Sequence, residues 1–175
     1  MGGAGKARLS EVPVIRPLSS PAEAEACAEL MAASEPWRTL GRSVEASRRI
    51  IDDPTREVYV VEDSQGLAGF IILCMVGAFV GYIQTICVAP DRRGQGLGSR
   101  LVAFAEERIA PVSPNVFLCV SSFNHDARRL YERLGYEYVG ELRDYLIPGA
   151  AELLYRKTRG PWTTFQPAES DDARL

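Results

Sequence analysis

The chain has 175 residues, 46% of them hydrophobic and 25% charged, with a formal net charge of −3. That length and apolar content suit one domain with a single core. A mild acidic balance with no long basic block excludes a protein that tracks a nucleic-acid backbone.

Residues 1–11 are polar and Gly-rich, expected as a mobile tail, and lack the apolar core of a signal peptide. Val12 to Leu18 reads as an edge strand, because Pro13 and Pro17 cannot donate to a ladder on both sides. Ser20-Pro-Ala-Glu23 has the form of a capping box, and the helix it opens is predicted to reach about Ser34, burying Cys27, Leu30 and Met31. Glu35 to Gly41 breaks that helix, Ser43 can cap a second one carrying Val44, Ile50 and Ile51, and Asp53-Pro54 ends it. Glu57 to Glu62 is a predicted strand and Asp63 to Gly66 a turn. Leu67 to about Val76 is nearly apolar throughout, as expected of a central strand covered on both faces, and too short to span a bilayer.

Tyr82 to Val88 reads as the next strand, followed by a glycine loop and a helix to about Ala110 with Leu97, Leu101, Ala105 and Ile109 at helical spacing. Asn115 to Ser121 is a fifth strand, and a short helix after Asn124 carries Ala127, Leu130, Tyr131 and Leu134 on one face before Gly135 stops it. Tyr136 to Leu142 and Ala151 to Thr158 form a closing pair about Pro148-Gly149. Residues 159–175 read as a second loose tail, whose Trp162 and Phe165 could dock on the body or on a partner subunit. The four cysteines (Cys27, Cys74, Cys87, Cys119) are widely spaced and His125 is the one histidine, so no metal cluster can be assembled from them. Buried, reduced thiols in a soluble cytoplasmic protein are expected.

The loop Val88-Ala-Pro-Asp-Arg-Arg-Gly-Gln-Gly-Leu-Gly-Ser99 joins strand to helix. Glycines at 94, 96 and 98 leave its N–H groups unshielded, a helix N-terminus adds donors and partial positive charge, and Arg92 and Arg93 add two cations. No Gly-Lys-Ser/Thr closes it as in a P-loop, and G-x-G-x-G is not the dinucleotide spacing. Taken alone, it has as its alternative a glycine-rich turn that binds nothing.

Two stretches together narrow the reading. Arg93-Gly-Gln-Gly-Leu-Gly98, with the Asn124 to Tyr136 helix downstream, resembles the GCN5-related N-acetyltransferase (GNAT) family over about residues 12–158, read as one domain. The first stretch matches that family's (Gln/Arg)-x-x-Gly-x-(Gly/Ala) acetyl-CoA signature, and Asn124, Ala127, Leu130, Tyr131 and Leu134-Gly135-Tyr136 match its second block. The resemblance implies an α/β fold: a mixed, mostly antiparallel twisted sheet of about seven strands with a splayed parallel pair, flanked by about four helices. It implies acetyl-CoA as cosubstrate, its pantetheine arm along Ile86, Cys87 and Val88, and its pyrophosphate on Arg93, Gly94, Gln95, Gly96, Leu97, Gly98 and Ser99. Asn124, Ala127 and Tyr131 would complete the cofactor side, with Tyr131 as general acid toward the departing thiolate. The plain structural alternatives are a helix N-cap for Asn124 and a core aromatic for Tyr131. Glu35, Trp37, Leu40, Gln84 and Tyr145 become candidate acceptor contacts, Trp37 having as its alternative a plug over the first two helices.

The base is where the pattern departs. Family glutamates fall at Gln84 and at Cys119, and neither is a general base at neutral pH. Glu35 or Asp144 could enter from loops. A lysine-like amine of pKa about 10.4 is neutral in roughly one molecule in 2,500 at pH 7, against roughly one in ten for an α-amine. Without a carboxylate base the sequence therefore favours weakly basic acceptors deprotonated through water. Two functions follow: acetyl transfer to a primary amine by direct attack in a ternary complex, or a catalytically silent acyl-CoA-binding module of the same fold. No nucleic-acid or membrane partner is expected. Family members often pair through their last strands, which leaves monomer and homodimer both open here.

Overall fold

Capping chemistry and strand alternation lay out the architecture in a computed structural model that describes residues 13–168. The order is β1 (Ile15–Pro17), α1 (Pro21–Ala33), α2 (Val44–Ile51), β2 (Arg56–Asp63), β3 (Gly66–Cys74), β4 (Tyr82–Val88), α3 (Leu97–Ile109), β5 (Asn115–Ser121), α4 (His125–Arg133), β6 (Glu137–Arg143) and β7 (Ala151–Thr158). Ser20, Ser43 and Asn124 each accept a backbone N–H from the first turn of the helix they open, which fixes where α1, α2 and α4 begin. None of the helices among the described residues is long and apolar enough to cross a membrane.

The strands form one sheet in the order β1-β2-β3-β4-β5-β7-β6. Every neighbouring pair is antiparallel except β4 and β5. β3 is central and buried on both faces, so its residues divide by alternation. Ile71 and Leu73 join Leu101, Val102, Ala105 and Ile109 of α3 on one face; Phe70 and Ile72 join Ala24, Cys27, Ala28 and Met31 of α1 on the other. The result is an α/β/α arrangement with a core on each side of the sheet, as the fold class expected.

Several boundaries differ from expectation. β3 ends at Cys74 rather than Val76, because Gly77 and Gly81 adopt positive φ and turn the chain, leaving Val76 60% exposed. Gly81 is also a close-approach position, where a Cβ would sit 2.6 Å from the Asn115 carbonyl oxygen. Leu30 is only half-buried, unlike Cys27 and Met31. Cys119 is not a core thiol but is partly exposed. The expected first strand is shortened to Ile15–Pro17, and its Val12 and the 1–11 tail lie outside the described residues, as do 169–175. Residues 159–168 run back over the exit from α3: Arg159 N–H donates to Pro114 O at 2.9 Å and Ala168 N–H to Pro111 O at 3.0 Å. Trp162 stays half-exposed there and packs edge-on against Phe165.

Two irregularities in β4 position the site. Against β3, Ile72 pairs with Thr85 but Leu73 pairs with Ile83, so Gln84 is an extra residue in a β-bulge. A one-residue insertion inverts the facing of everything after it. Ile83 therefore lies on the α3 face, whereas Thr85 and Cys87 face α1, and Ile86 and Val88 take the α3 side. Against β5, β4 pairs only through Tyr82 and Ile83, with Phe117 and Leu118, and then the two strands part.

Candidate active site

The parting of β4 and β5 leaves a strand edge inside the molecule. Ala89 N–H donates to Ala68 O at 2.9 Å across to β3. Successive backbone groups of a strand alternate sides, so Cys87 and Thr85 also direct their N–H and C=O to β3. Ile86 and Val88 direct theirs into the gap. The Val88 carbonyl accepts from Arg93 Nε at 3.1 Å. An extended ligand bearing amides fits such an edge as an additional strand would.

At the end of that edge the glycine loop opens into α3. Gly94 and Gly96 have φ of +74° and +81°, and no atom lies within 4 Å of where their Cβ would be, so conformation rather than space demands glycine there. Gly96 is the N-cap of α3 and offers no side chain, in contrast to the Ser and Asn caps of the other helices. Among the described residues, no protein acceptor pairs with the N–H groups from Gly94 to Ser99. The row of donors at a positive helix end suits a diphosphate. Gln95 closes the loop by donating through Nε2 to Asp91 O at 3.2 Å. Leu97 contributes only its main chain, since its side chain is buried in the core.

The two arginines of this loop differ in role. Arg92 donates to Asp63 at 2.6 Å, to Gln65 at 2.8 Å and to Asp91, so it ties the β2–β3 turn to the loop and is not a spare cation. Arg93 is exposed, and its terminal nitrogens meet no protein partner among the described residues. Cys87 also departs from its expected part in cofactor binding. Its main chain serves β3, and its thiol is buried against α1, where burial pushes its pKa up to about 11.

A cavity of about 640 Å³ runs through the sheet at the splay. From the α3–α4 face it is lined by Ile83, Ile86, Ala127 and Tyr131, and from the α1–α2 face by Trp37, Leu40, Tyr82, Gln84 and Cys119. A volume of this size is typical of small-molecule sites. Asn124 lines it too while capping α4, its Oδ1 accepting from Ala127 N at 3.3 Å, so cap and cavity wall are one residue. Trp37 likewise serves both readings, packing on the α1–α2 core and facing the cavity. Tyr145 reaches the rim from the β6–β7 turn. Tyr131 is 8% exposed, and burial pushes its phenol up to about 12. It is therefore a firm hydrogen-bond donor at neutral pH.

The carboxylates fall differently from expectation. Glu35 lies on the rim, with its oxygens held by Arg38 at 2.9 Å and Thr39 Oγ1 at 2.6 Å, bonds that keep its pKa below the ordinary value. Asp144 is outside the cavity lining and accepts from Gly149 N–H in its own turn at 2.7 Å. The carboxylate in the cavity wall is Glu152 of β7, which sequence reasoning missed. It is 8% exposed, pairs across the ladder with Ser121 and accepts from Ser121 Oγ at 2.6 Å. Burial raises its pKa, opposed by the Ser121 bond. Beside it, burial also raises the Cys119 thiol, which makes it a poorer nucleophile. A signal for Glu152 did exist: alternation puts it on the same strand face as Leu154, away from core residues Leu153 and Tyr155.

Comparison with known proteins agrees with this geometry. The model of the acetyltransferase (GNAT) family matches residues 24–136. Blasticidin-S acetyltransferase of Streptomyces morookaense is 32% identical over 78 residues, covering 41% of this chain and 57% of that protein, so this chain spans little more than half of that relative's length. An aminoglycoside 6′-N-acetyltransferase solved with coenzyme A superposes with a TM-score of 0.68 at 19% identity, over 85% of this chain and 98% of that one. The spermidine/spermine N-acetyltransferase SpeG of Vibrio cholerae does so with 0.63 at 21% identity, over 84% and 95%. The last two likenesses are of fold. With the family model spanning well over half of the sequence, and with the splayed strands and glycine loop in the positions described, the chain belongs to the GNAT acetyltransferase family.

Proposed function

We propose that this protein transfers an acetyl group from acetyl-CoA to a primary amine by direct attack within a ternary complex. The observation that carries the proposal is the continuity of the site. A cradle of unpaired N–H groups at Gly94 to Ser99 leads along the free edge of β4 into a cavity holding both a phenol and a buried carboxylate. Acetyl-CoA supplies the activated thioester. Arg93 and the amides of Gly94 to Ser99 hold its diphosphate, and the gap-facing main chain of Ile86 and Val88 aligns the arm. Placement of this kind accounts for a large share of such a rate.

Glu152 receives the proton of the incoming ammonium, with Ser121 orienting its carboxylate. A carboxyl raised by its surroundings sits closer to neutrality and is the better base for it. Tyr131 donates to the departing sulfur. A phenol near 12 is too weak an acid to hand its proton fully to a thiolate of pKa about 8.5, so its contribution is mainly a hydrogen bond to developing charge. Glu152 also removes the reason for favouring weakly basic acceptors, and with it the main argument for a silent acyl-CoA-binding module. Gln84, Trp37, Leu40 and Tyr145 wall the acceptor side. The fold neighbours named for aminoglycoside and spermidine acetylation support an amine acceptor in general.

The test is release of free CoA thiol from acetyl-CoA across a panel of primary amines, with the acetylated products identified by mass. Amine-dependent release that falls about a hundredfold or more in Glu152→Gln and in Tyr131→Phe is expected. Binding of acetyl-CoA with no turnover on any amine would favour the silent module.

A further inference from the structure

The cavity wall carries charge that the acetyl-transfer chemistry does not use. Arg42, in the connection before α2, and Arg56, the first residue of β2, both line it, among the apolar side chains of Trp37, Leu40, Ile50 and Phe79. Arg42 makes no ion pair among the described residues, its Nε is buried with no hydrogen-bond partner, and burial with no opposing carboxylate lowers its pKa. Arg56 donates through Nη1 to the Cys74 thiol at 2.6 Å, a weak acceptor. Its Nε is also buried without a hydrogen bond. Its carboxylate neighbour, Asp53 at 3.4 Å, is itself engaged by Thr55 N–H and Oγ1. A half-buried guanidinium whose Nε is out of water and idle is costly, and its planar fork matches a carboxylate or phosphonate.

Resting on the acetyl-transfer reading, we propose that the acceptor is zwitterionic: a primary amine carrying an anionic group on a spacer, with Arg42 and Arg56 binding the anion. Charge and position agree. Glu152 of β7 lies beside the β4–β5 gap, where the amine must lie, whereas Arg56 stands on β2, with β3 and β4 between it and the gap; Arg42 lines the same cavity from the connection before α2. From the gap to β2 is two to three strand spacings, about 12 Å, of which an arginine side chain covers roughly half. The amine and anion are then separated by more than the single carbon of an α-amino acid. The apolar walls between them suit a hydrocarbon spacer.

The experiment compares 4-aminobutanoate, 6-aminohexanoate and 3-aminopropylphosphonate with butylamine and hexylamine, as acceptors for the full chain. At least one acid-bearing acceptor is expected to exceed its acid-free partner tenfold or more in kcat/KM. In Arg42→Gln that selectivity ratio should fall at least tenfold, with Arg42→Lys intermediate. Loss of folding quality lowers both substrates alike and leaves the ratio untouched, so the ratio reports recognition. A wild type that favours the acid-free amines, or a ratio unmoved by Arg42→Gln, overturns the proposal while leaving acetyl transfer intact. If no amine is acetylated at all, the acetyl-transfer reading fails first. Calorimetric binding of 6-aminohexanoate to the chain saturated with CoA then decides this one: uptake that Arg42→Gln abolishes supports it, and no uptake overturns it.

Discussion

Glu152→Gln separates proton transfer from packing, because Gln keeps the volume and can still accept from Ser121 but cannot take a proton. A positioned base is worth about 10²–10⁴-fold. Its value depends on how much of the acceptor is already neutral. At pH 7 a lysine-like amine is neutral in roughly one molecule in 2,500 and an α-amine in roughly one in ten, a 250-fold difference equivalent to about 3.3 kcal/mol. The substitution should therefore cost a strongly basic acceptor up to about 250-fold more than a weakly basic one. The pH profile of kcat should change with it. In the wild type an acid limb reports Glu152, displaced above the ordinary carboxylate value by burial. In the variant kcat should climb about tenfold per pH unit toward the pKa of the amine. Stability supplies a second reading. A folded-state pKa raised above the unfolded value means that full stability is present below about pH 4.5 and is lost as pH rises through the folded value. Glu152→Gln escapes that loss, so its Tm should exceed the wild type's at pH 8, with the gap closing by pH 4. Equal losses for strongly and weakly basic acceptors, with an unchanged pH profile, would refute the assignment of Glu152 as base.

The other expectations concern the phenol, the loop glycines and the arginine pair. Tyr131→Phe should lower kcat about a hundredfold while the calorimetric Kd for acetyl-CoA stays within threefold; undiminished kcat would leave Tyr131 a core aromatic. Gly96→Ala should cost about 1–2 kcal/mol in urea unfolding, since a Cβ finds open space but the residue holds φ +81°. Gly98→Ala, inside α3 with its Cβ 3.5 Å from Leu130, should be neutral or stabilising by up to about 1 kcal/mol. Arg92→Ala should lower stability by freeing Asp63 and Gln65, with little change in acetyl-CoA affinity. Arg93→Ala should weaken that affinity and leave stability nearly unchanged, as thermal melts with and without the ligand would report.

The frame of the molecule was written in local chemistry. β4, β5 and β7 begin and end where apolar alternation begins and ends, and the helices that start on Ser20, Ser43 and Asn124 start where a short polar side chain can accept a backbone N–H. Arg92 and Arg93 could not be told apart in that way. Their difference comes from Asp63 and Gln65, residues on another turn that tertiary folding brings beside one of them. The bulge at Gln84 was equally hidden, because one extra residue in a seven-residue apolar run leaves the pattern looking like a strand. Glu152 was masked by topology. Chain order makes β6 and β7 a closing hairpin, yet β7 lies inside, against β5, and β6 takes the edge. A glutamate on an edge strand faces water; on the inner one it faces the cavity.

That single bulge ties the chemistry together. With Gln84 inserted, Thr85 and Cys87 turn toward α1, while Ile86 and Val88 turn toward α3 and present their main chain to the gap. A regular β4 would hold residues 83, 85 and 87 on one face and could continue its ladder with β5 beyond Ile83. Continued pairing would satisfy the free edge internally and close the passage through the sheet. The row of unpaired N–H donors lies at the α3 N-terminus, whereas Trp37, Glu152 and the arginines lie on the α1–α2 side. Two reactants approaching from opposite faces can meet only where the sheet is open. In the proposed reaction, the place where β4 stops pairing is the place where Tyr131 and Glu152 would act on the same pair of molecules.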